Sequence, residues 1–193
     1  TTIMLRIIIF ASGSGSNAEN IIEYFKNSTL AEVSYVLSNN ANAGVLERAK
    51  RLNIPSKVFT KKEMETDSFL NFLRENADFI VLAGFLLKIP DELITLFPNS
   101  IVNIHPALLP KYGGKGMYGM HVHKAVVANK ESETGITIHY VNERYDEGTI
   151  IFQKAVALDR SDTPEDVAAK IHVLEQENFP SVIEKVLKTI DEG

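Results

Sequence analysis

A chain of 193 residues, 45% of them hydrophobic and 23% charged, has the size and balance of one globular α/β domain with a substantial core. Its net charge of −5 argues against nucleic acid or an anionic membrane as the main partner. The absence of cysteine excludes disulfides, thiol catalysis and Cys-ligated zinc.

Residues 5–11, Leu-Arg-Ile-Ile-Ile-Phe-Ala, form a continuous apolar run, as expected for a strand covered on both faces. The run is too short and too β-branched for a signal peptide, and no stretch approaches membrane-spanning length, so a cytoplasmic protein is expected. Ser-Gly-Ser-Gly-Ser at 12–16 is a small-residue turn, and Ile21, Ile22 and Phe25 give 17–27 helical spacing. Residues 33–37 predict a second strand, 43–53 a second helix, 55–59 a short third strand and 64–75 a third helix. Phe79-Ile-Val-Leu-Ala83 is again fully apolar, Pro90 opens a helix over 90–97, and 100–104 supplies the next strand. This alternation predicts an α/β fold with a doubly wound, mostly parallel sheet.

Beyond a glycine-rich loop the character changes. A helix is expected at 120–129, then strands at 135–141 and 149–157 joined by a short polar turn, an antiparallel addition. An acidic first turn at Thr163-Pro-Glu-Asp166 begins a long last helix. Its apolar stripe runs through Val167, Ile171, Leu174, Val182, Val186 and Ile190, with a kink or break expected at Pro180. No repeat or linker divides the chain, so one domain over 1–193 is expected.

Chemistry concentrates where the strand at 100–104 ends. Asn103 and His105 are two apart, so on a strand they leave from one face, and Pro106 and Pro110 then stop regular structure. Ligands of open α/β sheets bind at such strand ends. An amide donor beside a titratable imidazole suits stabilisation of an oxyanion and transfer of a proton. A core histidine in a rigid turn is the competing explanation.

Gly13-x-Gly15-x-x-Ala18 matches the dinucleotide fingerprint, yet the second strand ends Leu37-Ser-Asn-Asn40 without the acid that would hold a ribose. A single phosphate on the backbone of Gly13, Ser14, Gly15, Ser16 and Asn17 is therefore favoured over a ligand-free turn or a nicotinamide cofactor. Asp146, on a turn closed by Gly148, could orient His105, and Thr137 and His139 alternate on the strand before it. His121 and His123 invite a metal reading, but no third ligand has recognisable spacing, and no metal is expected.

Asn103-Ile-His-Pro-Ala-Leu-Leu-Pro-Lys111, with Gly135-Ile-Thr-Ile-His139 and Asp146-Glu-Gly148, closely resembles the folate-dependent formyltransferase family. The resemblance runs from Leu5 to the last helix. It implies a Rossmann-like phosphate-binding half (1–100) joined to a catalytic and folate-binding half (101–193). It implies 10-formyltetrahydrofolate as cosubstrate, no metal, small-molecule partners and a monomer or weak homodimer. Phe10-Ala-Ser-Gly-Ser-Gly-Ser-Asn17 looks like the loop of the branch that formylates glycinamide ribonucleotide in purine biosynthesis.

On that resemblance Asn103 and His105 stabilise the oxyanion and Asp146 assists, with Thr137 and His139 in support. The loop holds the acceptor's phosphate and Glu175 its ribose. The pterin lies against Leu86, Leu87, Lys88 and Ile89 and against Val141, Asn142, Glu143, Arg144 and Tyr145. The chain departs from relatives in carrying Leu87 and Asp67 where arginines occur, and in a longer stretch at 113–119. Branches acting on methionyl-tRNA or hydrolysing formyl-folate are expected to carry added domains that these residues do not contain. A catalytically silent relative is disfavoured by the joint presence of Asn103, His105 and Asp146.

Overall fold

In the computed structural model, which describes residues 3–144 and 146–192, one seven-stranded sheet runs in the order β3-β2-β1-β4-β5-β6-β7. The strands are β1 (Leu5–Phe10), β2 (Ala31–Ser38), β3 (Ser56–Val58), β4 (Phe79–Leu82), β5 (Ile101–His105), β6 (Glu133–Tyr140) and β7 (Ile150–Ala157). Pairing is parallel from β3 through β5 and antiparallel for β5–β6 and β6–β7. The helices are α1 (Ser16–Phe25), α2 (Gly44–Arg51), α3 (Asp67–Asn76), α4 (Asp91–Leu96), α5 (Met120–Ala128) and α6 (Pro164–Glu192).

Period-two alternation sorts the apolar strands between two cores. Ile7 and Ile9 join Val81, Val102 and Ile104 beneath the α1, α2 and α6 side. Ile8 and Phe10 join Ile80, Leu82 and Ile101 with Phe69 and Leu93 on the α3–α4 side. Each fully buried Ile or Phe is worth about 1.5–3 kcal/mol, which is why the unbroken apolar runs occupy the sheet centre. Asn103 and His105 share the face of Ile101, at the edge of the second core.

Two expectations need correction. The single helix expected at 64–75 divides into a 3-10 turn (Glu63–Glu65) and α3, because the Thr66 hydroxyl caps α3 by accepting from the Phe69 N–H at 3.3 Å. Helix α6 is not broken at Pro180 but continues unbroken to Glu192. A proline there leaves the Gln176 carbonyl without its helical donor, and the Asn20 side chain of α1 supplies one at 2.9 Å. The helix is started by a reciprocal cap, in which the Asp166 N–H donates to the Thr163 hydroxyl and the Thr163 N–H to the Asp166 carboxylate.

The sheet reverses its winding between β1 and β4, and the crevice at that switch lies beyond their C-terminal ends. The Ser12 hydroxyl ties this point together. It donates to Asn39 Oδ1 after β2 at 2.6 Å and accepts from the Leu86 N–H after β4 at 3.0 Å.

Candidate active site

A cavity of about 500 Å³ opens beside the end of β5. It reaches from Asn17 on α1 and Glu175 on α6 to Asn103, His105, His139 and Asp146. Register builds its chemical wall: Asn103 lies opposite His139 across the β5–β6 ladder, and His105 opposite Thr137. Asn103 Nδ2 donates to His139 Nε2 at 3.2 Å, and His139 Nδ1 donates to the Tyr140 carbonyl at 2.8 Å. That pair of contacts fixes the His139 tautomer and leaves Asn103 a second N–H to offer.

His105 is buried, with only 3% of its surface exposed. Its Nε2 sits 2.7 Å from the Tyr112 carbonyl, so Nε2 carries a proton and Nδ1 is the site that titrates. Asp146 Oδ1 is 3.6 Å from His105 Nδ1 and 3.7 Å from His139 Nε2. These distances exceed hydrogen-bond length, so the carboxylate acts on both rings as a charge. Asp146 Oδ2 accepts from the Gly114 N–H at 3.0 Å. Gly148 lets this turn lie against β6, since a Cβ there would meet the Tyr140 carbonyl oxygen at 1.6 Å.

Burial drives the His105 pKa down, by more than Asp146 and the Tyr112 carbonyl raise it. Burial pushes the Asp146 carboxyl up, but His139, the His105 ring and the Gly114 N–H outweigh it and hold it below the usual range. The pair at rest is thus a neutral imidazole beside a carboxylate. Glu175 behaves oppositely: burial lifts its pKa to about 7, against the pull of Asn17.

Leu86, Leu87, Lys88 and Ile89 line the cavity after β4, with Val141, Asn142 and Arg144 opposite them. Glu143 is exposed and outside the lining, and Tyr145 lies outside the described residues. Thr137 faces the turn after β5 rather than the cleft. Its hydroxyl donates to the Ala107 carbonyl at 2.7 Å and accepts from the Leu109 N–H and from Gln153 Nε2. Of the glycine loop only Asn17 reaches the cavity wall; Gly13, Ser14, Gly15 and Ser16 stand beside it. Asp67 starts α3 and is not part of the lining.

Three contributors were not assigned to the site from the sequence. Residues 114–119 form one wall, and through Gly114 they touch Asp146. His172 lines the cavity one helical turn before Glu175, a position that i, i+3 spacing would have flagged. His123 also lines it and is buried, with Nδ1 lacking a partner among the described residues. Burial, and then the nearby His105, lower its pKa, so it stays uncharged.

A strand-end amide, imidazole and carboxylate beside an apolar pocket are the equipment of an acyl-group transferase. The comparisons with known proteins agree. Residues 5–183 match the family described as "Formyl transferase", and the chain belongs to that family. It is 40% identical over 200 residues to the chloroplastic phosphoribosylglycinamide formyltransferase of Arabidopsis thaliana, covering 97% of this chain and 68% of that protein. It is 36% identical to the phosphoribosylglycinamide formyltransferase of Bacillus subtilis, with 98% of each chain covered. The solved glycinamide ribonucleotide transformylase 1 of Symbiobacterium toebii superposes with a TM-score of 0.87 at 30% identity, covering 96% of this chain and 89% of that one.

Proposed function

We propose that the protein transfers the formyl group of 10-formyltetrahydrofolate to the amine of glycinamide ribonucleotide, a step of purine biosynthesis. The observation that carries this reading is the convergence of Asn103, His105 and Asp146 on one cavity in a chain of the formyl transferase family. The acceptor's amine attacks the formyl carbon, a C–N bond forms, and the carbonyl oxygen becomes an oxyanion. Asn103 donates its free amide N–H to that oxygen, and His105, taking up a solvent proton at Nδ1 and returning it when the intermediate collapses, adds positive charge beside it. Asp146 stabilises the imidazolium and accepts the proton that the attacking nitrogen loses, directly or through water. Collapse of the intermediate breaks the bond to the folate nitrogen N10, which leaves with the proton that Asp146 took from the attacking nitrogen.

The pterin occupies the apolar wall of Leu86, Leu87, Ile89 and Val141, and the cavity volume suits a ligand of that size. The acceptor's phosphate sits on the N–H groups of the glycine loop, with Glu175 at its ribose. The reading retains a cytoplasmic setting and small-molecule partners, with no metal in the reaction. The test is an assay of purified protein with 10-formyltetrahydrofolate and glycinamide ribonucleotide, using methionyl-tRNA as control acceptor. Formylation of the ribonucleotide alone is expected; transfer to the tRNA instead overturns the reading.

A further inference from the structure

The glycine loop is held from behind by α2. The Val45 N–H donates to the Gly13 carbonyl at 3.0 Å, and Arg48 Nε donates to the Ser14 carbonyl at 2.7 Å. The next carbonyl, of Gly15, accepts from the Glu19 N–H at 2.9 Å as the first bond of α1. These peptides are trans and planar, so each N–H points opposite to the carbonyl it shares a plane with. Pulling the Gly13 and Ser14 carbonyls toward α2 therefore turns the Ser14 and Gly15 N–H groups away from it. The Ser16 N–H projects from the N-terminus of α1. None of the three has an acceptor among the described residues, and α1 has no side-chain cap. Successive free N–H groups turned to one side make a nest for an anion.

We propose that Arg48 is a positioning residue for the acceptor's phosphate, acting through the Ser14 carbonyl to aim the Gly15 N–H. Val45 holds its carbonyl with a helix backbone group, but at Ser14 a side chain does this work. That side chain is itself fixed: Glu19 receives Arg48 through one carboxylate oxygen and Arg51 through the other. Consistent with this, the Arg51 and Arg48 contacts hold the Glu19 carboxyl below its usual range. Two guanidinium groups on one carboxylate also leave a net positive charge behind the loop. The Arg51 guanidinium supplies charge without touching the loop, which allows charge and aim to be separated.

The inference rests on the phosphate assignment made above, and one experiment distinguishes their failures. KM and kcat are measured for glycinamide ribonucleotide and for its dephosphorylated riboside in wild type, Arg48→Met, Arg48→Lys and Arg51→Met. Arg48→Met is expected to raise KM for the phosphorylated acceptor about tenfold, the effect of losing one charge-assisted hydrogen bond, with kcat within about twofold. The riboside's kcat/KM stays at the wild-type level, and Arg51→Met leaves both acceptors near wild type. Arg48→Lys keeps stem and charge but loses the fork; it covers the case of a poorly folded Met variant and gives the same pattern at about threefold. Equal loss for both acceptors, an Arg51→Met effect as large as that of Arg48→Met, or wild-type KM in both Arg48 variants overturns the inference. A wild-type enzyme that does not prefer the phosphorylated acceptor overturns the phosphate assignment itself, and the inference with it.

Discussion

The glycine loop beside the cavity and the strand end that lines it are built on opposite plans. At the glycine loop the groups left without acceptors among the described residues are backbone N–H groups, held by two carbonyl contacts from α2 and by the start of α1. At the end of β5 they are side chains, placed by cross-strand pairing with β6 and by the turn that carries Asp146. A backbone site is vulnerable to anything that adds a Cβ or shifts the loop, and indifferent to most of its own side chains. A side-chain site is the reverse: one functional group can be deleted with the surrounding frame intact.

Deleting such a group should break the comparison most sharply. His105→Ala or Asp146→Asn is expected to lower kcat by about 10²–10⁴-fold, with acceptor KM within a few-fold, as steady-state kinetics would report. Near-normal turnover in either variant would count against the oxyanion mechanism. NMR titration of His105 should give a pKa below the ordinary imidazole value, falling further in Asp146→Asn, because burial remains while the carboxylate's opposing pull is lost.

At the loop, Gly15→Ala is the matching lesion. Gly15 has φ +81°, and a Cβ there would meet Val45 atoms at 2.4–2.7 Å. A loss of about 2–3 kcal/mol in urea denaturation is expected, together with weaker binding of the phosphorylated acceptor. An unchanged midpoint and KM would show the loop to be less constrained than its contacts imply.

Glu175 sharpens the contrast, being a side chain at the backbone end. Its folded pKa of about 7 lies above the unfolded value, so the folded protein keeps a proton there that the unfolded chain has released. Stability is therefore lost as pH rises from the unfolded pKa through the folded one. Glu175→Gln should gain about 1–3 kcal/mol at pH 8, and most of that gain should vanish at pH 5. A gain equal at both pH values would rule out ionisation as its cause. The smallest effect is expected from Asn20→Ala, which removes the donor to the Gln176 carbonyl; about 1 kcal/mol should go, seen as a drop in Tm of a few degrees.

What could be read from the chain divides along the same line. The runs at β1 and β4 announce buried parallel strands, and Gly13 and Gly15 announce the tight turn before α1, because these are local demands on the backbone. Asn103 and His105 stand on one strand face, so their pairing was legible too. The partners of these groups were not. Arg48 reaches the Ser14 carbonyl across 34 positions, and Asn103 meets His139 across 36, contacts that only the packing of α2 and the β5–β6 register decide. The continuity of α6 through Pro180 failed for the same reason, since its rescuing donor, Asn20, is 156 residues from the carbonyl it serves. His123 was weighed as a metal ligand, yet its significance lies in burial beside His105, which no spacing reveals.

The link between α1 and α6 has a consequence in time. Gln176 Nε2 donates to Asn17 Oδ1 at 3.2 Å, joining groups 159 positions apart. During synthesis the glycine loop is therefore complete 159 positions before the Gln176 side chain that Asn17 meets. Closing so long a loop is slow relative to local structure. The junction of α1 with α6 therefore matures after the local structure on either side of it, and in the function proposed above the loop assigned to the phosphate forms before the side chain assigned to the ribose can join it.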